Sequence, residues 1–181
     1  MTRLLLVRHA EPSASWQEHD DPGLSSLGRQ EAADLAARLP AAARRTVVSS
    51  PLARAAETAA AVAGAGARAR VDPDVGEVPT PPGRRGDRAR WLRETFGRRW
   101  PDVDDDLRRW RRGVLEALAA IGRDATVVTH FVAINVAVGE ATGDDRVWCC
   151  SPAHCSVTEL DVDGEDLQLV RLGVESAARV T

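Results

Sequence analysis

The sequence predicts an α/β fold in which helices cover both faces of a mostly parallel central sheet, giving a three-layer sandwich with a helical insertion. Short apolar segments of strand length alternate along the chain with longer segments of helical periodicity, which is typical of parallel strands joined by helices. The chain has 181 residues, the length of one domain, and its hydrophobic content of 44% is sufficient for a core without disulfides or metal ions. We therefore expect residues 1–181 to form a single domain.

Two segments near the N-terminus indicate the first strand and the first helix. Residues 3–8 form an apolar run that ends in polar residues, as buried strands of parallel sheets do. Residues 26–39 carry leucine and alanine at helical spacing. Ser25 is suited to cap this helix, and Pro40 is expected to end it.

A second strand and a second helix follow in the same order. Residues 46–50 are rich in β-branched side chains and predict a strand. We expect Ser50 to cap the next helix, Pro51 to lie in its first turn, and the helix to extend to about Ala63. Residues 68–72 predict a third, short strand.

Residues 84–121 are predicted to form a helical insertion or cap. The segment at 80–86 has the composition of a loop, and helices are expected at 86–100 and from about 104 to 121. Residues 84–112 contain eleven arginines and six acidic residues, interspersed with three tryptophans. This stretch is either a rim that attracts anionic substrates or, more simply, two amphipathic helices whose arginine stems cover apolar surface.

The remainder of the chain predicts the rest of the sheet. Residues 125–130 form a further apolar segment of strand length, and a helix is expected at 132–143. Residues 156–162 and 167–172 predict a terminal hairpin with its turn around Asp163–Gly164.

Composition and charge argue against several classes of function. The formal net charge of -3 disfavours non-specific nucleic-acid binding, for which a basic excess is expected. All 24 basic residues are arginine, so no lysine is available for a Schiff base or a P-loop. The apolar run at 4–7 is too short for a signal peptide, and no segment approaches the roughly 20 apolar residues of a membrane span. We therefore expect a cytoplasmic protein with neither a membrane nor a nucleic acid as partner.

The cysteines and two of the histidines are interpreted as having no catalytic role. Cys149, Cys150 and Cys155 are an odd number of cysteines and predict reduced thiols. His154 lies among them, but the spacing CCSPAHC fits no familiar zinc pattern, so we predict no metal site and assign His154 to packing near the start of a strand. His19 lies in an acidic loop and is interpreted as a solvated surface residue.

Polar residues follow three of the predicted strands. Arg8 and His9 come after the first strand, Arg54 comes shortly after the second, and His130 ends the segment at 125–130. Because the carboxyl ends of parallel strands meet at one edge of a sheet, we expect these side chains to converge. Arginines bind phosphate through paired hydrogen bonds, a neutral histidine can attack phosphorus, and a second histidine can stabilise developing charge. The arrangement predicts a metal-free phosphate pocket.

The same residues lie in segments that resemble a known family. Four segments, in the same order along the chain, are similar to the signature segments of the histidine phosphatase superfamily, the phosphoglycerate-mutase-like enzymes. These segments are LLLVRHAEP at 4–12, LSSLGRQEA at 24–32, SSPLARAAETA at 49–59 and VVTHFVAIN at 127–135. Four segments in order are a far more specific signal than one Arg-His pair.

The resemblance implies a role for each matching residue. His9 would be the nucleophile and carry a phosphohistidine, Arg8 and Arg54 would bind the transferred phosphoryl group, and His130 would complete the pocket. Gly28 and Gln30 also match the family's pattern, but we assign both to helix packing.

The resemblance also implies an acid that protonates the leaving oxygen, and here the sequence departs from the family. The candidate is Glu77, which is followed by proline-rich sequence where many members have glycine; Asp74 and Glu11 are the alternatives. Some phosphohistidine phosphatases of the superfamily lack such an acid. A second departure is Phe131, where many members have glycine after the histidine, and its ring either narrows the pocket or packs inward.

These observations together predict a phosphatase that hydrolyses a phosphomonoester or a phosphohistidine through a phosphohistidine intermediate, with no metal ion or organic cofactor. Its partner would be a small anionic phosphorylated substrate. Two alternatives remain: a phosphomutase of the same superfamily, and a non-catalytic phosphate-binding or regulatory module. The sequence identifies neither the substrate nor an oligomeric state.

Overall fold

The computed structural model describes residues 1–15 and 19–176, apart from the side chain of Arg85. Within them, six strands form one sheet: β1 (Thr2–Arg8), β2 (Val47–Ser49), β3 (Arg70–Val71), β4 (Ala125–Thr129), β5 (Val157–Asp163) and β6 (Asp166–Arg171). The strand order is β3-β2-β4-β1-β5-β6. The first four strands of this order are parallel, β5 is antiparallel to β1, and β6 is antiparallel to β5. The prediction of a mostly parallel sheet is confirmed.

Helices pack on both faces of the sheet. The α-helices are α1 (Ser26–Arg38), α2 (Ala53–Ala63), α3 (Arg88–Phe96), α4 (Asp105–Ala119) and α5 (Phe131–Thr142). Short 3-10 helices occur at Ala41–Arg44, Pro73–Val75, Pro82–Asp87 and Trp100–Asp102. Successive strand residues point to opposite faces, so Val128 packs in the core with α1 and α2, whereas Val127 packs in the core with α4 and α5. Two cores on opposite faces of one sheet make the predicted three-layer sandwich.

The predicted cap of the first helix is confirmed. The Ser25 hydroxyl accepts a hydrogen bond from the backbone N–H of Gly28 at 2.9 Å and donates one to Oε1 of Glu11 at 2.8 Å. This second bond ties the start of α1 to the loop that follows β1 and His9.

The predicted start of the second helix is wrong. The helix begins at Ala53 with Leu52 as its N-cap residue, so Ser50 does not cap it and Pro51 lies outside its first turn. Ser50 instead extends the sheet, because its backbone N–H donates to the carbonyl of Val128 at 3.1 Å. Its hydroxyl contacts Nε2 of His130 at 2.7 Å, a bond that holds the side chain at the sheet edge.

Two boundaries in the arginine-rich stretch also differ from the prediction. The 3-10 helix Pro82–Asp87 occupies most of the segment expected to be a loop at 80–86, and the helix expected at 86–100 ends at Phe96. Trp100 lies in a separate 3-10 turn, where its buried ring packs near the ring of Trp110 and beneath the guanidinium group of Arg111. α4 packs against α5 and contributes Leu107, Val114 and Leu118 to the core, whereas α3 borders a cleft. That residues 84–121 form an insertion or cap stays a prediction.

The parallel strands β2, β4 and β1 are neighbours, so their carboxyl ends meet at one edge of the sheet. The backbone N–H of His9 donates to the carbonyl of Thr129 at 3.0 Å, which places the residue after β1 directly beside the end of β4. None of the helices in the described part of the chain combines the length and the hydrophobicity needed to cross a membrane.

Candidate active site

A cleft of about 420 Å³ opens at this edge of the sheet. Its polar lining includes Arg8, His9, Arg54, Glu77, Arg88 and His154. Its apolar lining includes Leu92 and Phe96 of α3, Phe131 and Val132 of α5, and Trp148. Residues far apart in the sequence thus contribute to one pocket.

His9 is buried at the floor of the cleft with 5% of its surface exposed. Its Nδ1 lies 2.8 Å from the carbonyl oxygen of Ala10, which can only accept, so Nδ1 carries the proton. Nε2 is then left with its lone pair, and it accepts a hydrogen bond from Nε of Arg54 at 3.2 Å. Burial, followed by the nearby His130 and Arg54, lowers the pKa of His9 well below its ordinary value. The imidazole is therefore neutral at neutral pH and has a nucleophilic nitrogen.

Arg54, in the first turn of α2, lies between the two buried histidines. Its Nη2 is 3.3 Å from Nδ1 of His130, and its Nη1 is 3.8 Å from Oδ1 of Asp21. Thr58 fixes this turn against the loop after β1, because its hydroxyl donates to the carbonyl of Arg54 at 2.7 Å and accepts from the N–H of Ala10 at 3.1 Å. Burial lowers the pKa of Arg54, but a guanidinium remains charged at neutral pH.

His130 is fully buried, and it is not among the residues that line the cleft. Because the guanidinium of Arg54 can only donate, Nδ1 of His130 accepts and Nε2 donates to the Ser50 hydroxyl at 2.7 Å. Its ring centroid is 5.1 Å from that of His9. Burial, followed by the charges of Arg54 and Arg8, lowers the pKa of His130 well below its ordinary value. His130 thus lies behind Arg54 as a neutral support.

Arg8 is the last residue of β1 and directly precedes His9. Its Nη1 donates to the carbonyl of Pro152 at 2.9 Å, and its Cζ is 5.3 Å from the centroid of the Phe131 ring. Its Nε is buried and has no hydrogen-bond partner among the described residues. Burial lowers the pKa of Arg8, and the charge of Glu77 opposes this effect. Such a guanidinium is well placed to bind an anion.

Of the three candidate acids, Glu77 lines the cleft. Its Oε1 accepts a hydrogen bond from the N–H of Val78 at 2.9 Å, and its charge raises the pKa of Arg8, Arg54 and Arg88. Asp74 is exposed, and the carboxylate of Glu11 is bonded to Ser25 at the start of α1. In the described part of the chain, neither of these two residues lines the cleft.

The cleft carries a strong positive charge. Arg8, Arg54, Arg88 and Arg93 line it, and Glu77 is the one carboxylate among the described lining residues. Arg88 and Arg93 belong to α3, so the arginine-rich stretch borders the pocket at its rim. No cluster of three or more His, Cys, Asp or Glu side chains that could hold a metal ion occurs in residues 1–15 and 19–176.

An aromatic wall, formed by Phe96, Phe131 and Trp148, bounds one side of the cleft. The ring centroids of Phe131 and Trp148 are 5.5 Å apart, and those of Phe96 and Trp148 are 5.3 Å apart, both with edge-on geometry. Phe131 therefore both packs in this wall and borders the pocket.

Several polar residues of the cleft have no site role predicted from the sequence, among them Arg88, Arg93 and His154. His154 was assigned to packing, but its ring lines the cleft with its centroid 5.7 Å from that of His9. It precedes β5, which runs antiparallel to β1 with Val157 opposite Val7, so the start of β5 lies beside the end of β1. The sequence predicts the hairpin that contains β5 but not the pairing of β5 with β1. That pairing is what brings His154 to the cleft. His19, by contrast, is exposed as expected.

Comparisons with known proteins agree with this architecture. The model of the histidine phosphatase superfamily (branch 1) matches residues 4–175 of the chain. YhfR of Bacillus stearothermophilus has a similar structure with a TM-score of 0.73 and 25% sequence identity, over 94% of this chain and 96% of that one. No curated protein sequence matches this chain.

Two less similar sequences share the fold. A phosphoserine phosphatase from Entamoeba histolytica, solved with 3-phosphoglyceric acid, has a TM-score of 0.72 and 18% identity over 96% of this chain and 98% of that one. An α-ribazole phosphatase from Shigella flexneri has a TM-score of 0.69 and 17% identity over 98% of this chain and 100% of that one.

Proposed function

Because this chain belongs to the histidine phosphatase superfamily, we propose that it hydrolyses a small phosphomonoester in two steps through a phosphohistidine at His9. The observation that carries the proposal is the hydrogen bonding of the His9 ring. Nδ1–H is held by the carbonyl of Ala10, so the lone pair of Nε2 faces the guanidinium of Arg54, which can bind the phosphoryl group. A neutral imidazole in this orientation is a competent nucleophile.

In the first step, Nε2 of His9 attacks phosphorus and the bond between phosphorus and the ester oxygen breaks. Arg8 and Arg54 bind the phosphoryl oxygens, and their charge stabilises the transition state. Glu77, in its carboxylic-acid form, gives its proton to the departing oxygen. This role is supported by the place of Glu77 in the cleft, close enough to affect the pKa of both arginines.

In the second step, water attacks phosphorus and the bond to Nε2 breaks. The Glu77 carboxylate formed in the first step accepts a proton from the water, which returns Glu77 to its acid form and releases inorganic phosphate. His130 acts in both steps by holding Arg54 through Nδ1. The proposal requires neither a metal ion nor an organic cofactor, since the guanidinium groups supply the positive charge.

The size and lining of the cleft support a small substrate. A volume of about 420 Å³ exceeds what a phosphoryl group fills, and it lies within the range of small-molecule sites. The alcohol part of the ester would lie between the aromatic wall and α3, and we propose that residues 84–121 act as a cap over it. The similarity to the structures of a phosphoserine phosphatase and an α-ribazole phosphatase supports hydrolysis.

The test is quench-trapping of the phosphoenzyme with a ³²P-labelled aryl phosphate. The wild-type protein should give an acid-labile, base-stable label together with steady release of inorganic phosphate. His9→Ala should give no label, whereas His19→Ala, which removes a histidine outside the cleft, should retain it.

Two outcomes would contradict the proposal. A phosphomutase would form the phosphoenzyme but release no inorganic phosphate. The ³²P-labelled phosphoryl group would instead pass to a second hydroxyl of the substrate. Binding of inorganic phosphate with neither label nor turnover would indicate a phosphate-binding module.

A further inference from the structure

His154 is a cleft residue to which the two-step reaction assigns no role. Its ring centroid is 5.7 Å from that of His9, nearly as close as the 5.1 Å that separates the rings of His9 and His130. Neither of its ring nitrogens has a hydrogen-bond partner in the described part of the chain. An imidazole that lines a cleft with neither nitrogen bonded to a protein group is available to bind a ligand.

Three hydrogen bonds to Arg8 fix the loop that carries His154. The side chain of Arg8 donates to the carbonyl of Pro152 at 2.9 Å. The carbonyl of Arg8 accepts from the N–H of Cys155 at 3.0 Å, and its N–H donates to the carbonyl of Ser156 at 3.3 Å. Since Arg8 directly precedes His9, these bonds set the position of His154 relative to the proposed nucleophile.

The backbone next to His154 is strained. Cys155 has a φ of 53°, and it is the one non-glycine residue with positive φ among the described residues. Residues with a side chain avoid this region, so such a conformation persists only where the surroundings enforce it, and it occurs frequently at functional sites. Here it sends the Cys155 side chain into the core beside α1 and α2, while the ring of the preceding His154 lines the cleft.

The protonation state of His154 suits it to bind an anion as a neutral donor. Burial, followed by the charge of Arg8, lowers the pKa of His154 to about 4. At neutral pH the ring therefore has one N–H and one lone pair. A neutral N–H can donate to a phosphoryl oxygen without adding a further positive charge to a cleft that four arginines already line.

The other candidate for this contact is already engaged. His130 is fully buried, and both of its nitrogens are paired, one with Arg54 and the other with Ser50. Of the two histidines whose rings contact His9, His154 is the one with unpaired nitrogens in the cleft.

We propose that His154 is a substrate-contacting residue whose imidazole N–H donates a hydrogen bond to a non-bridging oxygen of the phosphoryl group that His9 receives. This inference rests on the function proposed above. It differs from the role of Glu77, because the contact is made to the transferred group and not to the departing oxygen. The contact is therefore common to every ester substrate, to the phosphoenzyme and to inorganic phosphate.

The test compares wild type with His154→Ala, His154→Asn and His154→Gln. Two quantities are measured: the Kd of inorganic phosphate by calorimetry, and kcat/KM for aryl phosphates whose leaving groups differ in pKa. His154→Ala should weaken phosphate binding and lower kcat/KM, each by about 10- to 100-fold, because it removes a hydrogen bond to a charged group. The loss of kcat/KM should be the same for every leaving group. The asparagine or the glutamine variant should recover part of both losses, since each side chain carries an amide N–H.

Three results would overturn the assignment. Unchanged phosphate affinity in His154→Ala would mean that no contact exists. A loss of kcat/KM that grows with the pKa of the leaving group would identify His154 as a proton donor to the ester oxygen. Equal losses in all three variants, together with a lowered Tm, would indicate a packing role.

The calorimetric measurement separates this inference from the proposed reaction. Phosphate binding does not require turnover. A wild type without phosphoenzyme, whose phosphate affinity nevertheless depends on His154, would refute the reaction and support the contact.

Discussion

Nε of Arg54 donates a hydrogen bond to Nε2 of His9 at 3.2 Å, so a guanidinium holds the nitrogen that we propose as nucleophile. With Nδ1 held by Ala10 on the other side, both ring nitrogens are fixed and the plane of the imidazole is defined. A bound phosphoryl group would offer Arg54 a charged oxygen in place of the neutral nitrogen. The ion pair of a guanidinium with an anionic phosphoryl oxygen is stronger than its hydrogen bond to an uncharged nitrogen, so substrate binding itself would release the lone pair of Nε2.

This relationship predicts that lysine cannot replace Arg54. Arg54→Ala and Arg54→Lys should both lower kcat/KM by about 10²–10³-fold, the cost of losing a charged donor to the transition state. An ammonium group cannot reproduce the planar fork that meets His9 and His130 simultaneously. Steady-state kinetics with an aryl phosphate measures the effect.

The matched control is Arg90→Lys. Arg90 is exposed and pairs with Glu94 on the surface of α3. Its replacement should leave kcat/KM near the wild-type value, and recovery of activity in Arg54→Lys to that level would contradict the role of the guanidinium fork.

The proposed acid can be tested through the leaving group. Glu77→Gln retains an acceptor for the N–H of Val78 but cannot give a proton. For alkyl phosphates, whose leaving oxygens need protonation, kcat should fall by about 10²–10⁴-fold. The leaving group of 2,4-dinitrophenyl phosphate departs as a stable anion and needs no proton, so the rate of the first step should change little. The rate of the pre-steady-state burst of dinitrophenolate measures this step.

Asp74→Asn serves as the control for Glu77, since Asp74 is an exposed acid close by in the sequence. It should leave the dependence on the leaving group as in wild type. An equal loss for all esters in Glu77→Gln would assign Glu77 to substrate binding instead.

The sequence predicts those residues of the site that closely follow a strand of the parallel sheet, and it does not predict several of the others. His9, Arg54 and His130 could be identified because each comes after an apolar segment of strand length, and parallel strands end at one edge. His154 could not, because its position depends on the pairing of β5 with β1, two strands far apart in the chain. Arg88 is one of many arginines in its stretch, and only the packing of α3 against the cleft distinguishes it.

The start of α2 shows a different limit. Ser50 and Pro51 have the composition of a helix start, but the Ser50 hydroxyl pairs with His130 and its N–H continues the sheet. Local propensity is overridden where the same residue is required by a contact that only the fold creates.

The aromatic wall predicts a preference for esters with a flat apolar group. Trp148 contacts both Phe96 and Phe131 edge-on, and its Nε1 donates to the Ser151 hydroxyl at 3.1 Å. Trp148→Ala should lower kcat/KM for phenyl phosphate by about 10-fold relative to that for glycerol phosphate, since one aromatic contact with the substrate is lost. Trp110→Ala, which removes an indole on α4 outside the cleft, should leave this ratio unchanged. An unchanged ratio in Trp148→Ala would show that the ring of the substrate does not lie on this wall.

The lowered pKa of His154 predicts a specific dependence of stability on pH. The folded-state pKa of about 4 lies below the unfolded value of 6.5, so the unfolded chain binds the extra proton between these values. Acidification from pH 7 to pH 5 therefore lowers the free energy of unfolding, and His154 should account for about 1–2 kcal/mol of the loss. Urea denaturation at the two pH values should show a correspondingly smaller loss in His154→Asn. Equal losses in the two proteins would mean that the ring is protonated as readily in the folded state as in the unfolded chain.

Two glycine-to-alanine changes separate helix propensity from close packing. A Cβ on Gly113 of α4 would have no heavy atom within 4 Å, so Gly113→Ala should raise the free energy of unfolding by up to about 1 kcal/mol. A Cβ on Gly28 of α1 would collide with the carbonyl oxygen of Glu11, which also accepts from the N–H of Ser25. Gly28→Ala should therefore cost about 1–3 kcal/mol, because rigid backbone must move to admit the methyl group. Urea denaturation with a common m-value measures both changes. If both variants were stabilised alike, the close approach of α1 to the loop after His9 would not constrain the fold, and Gly28 would have no packing role.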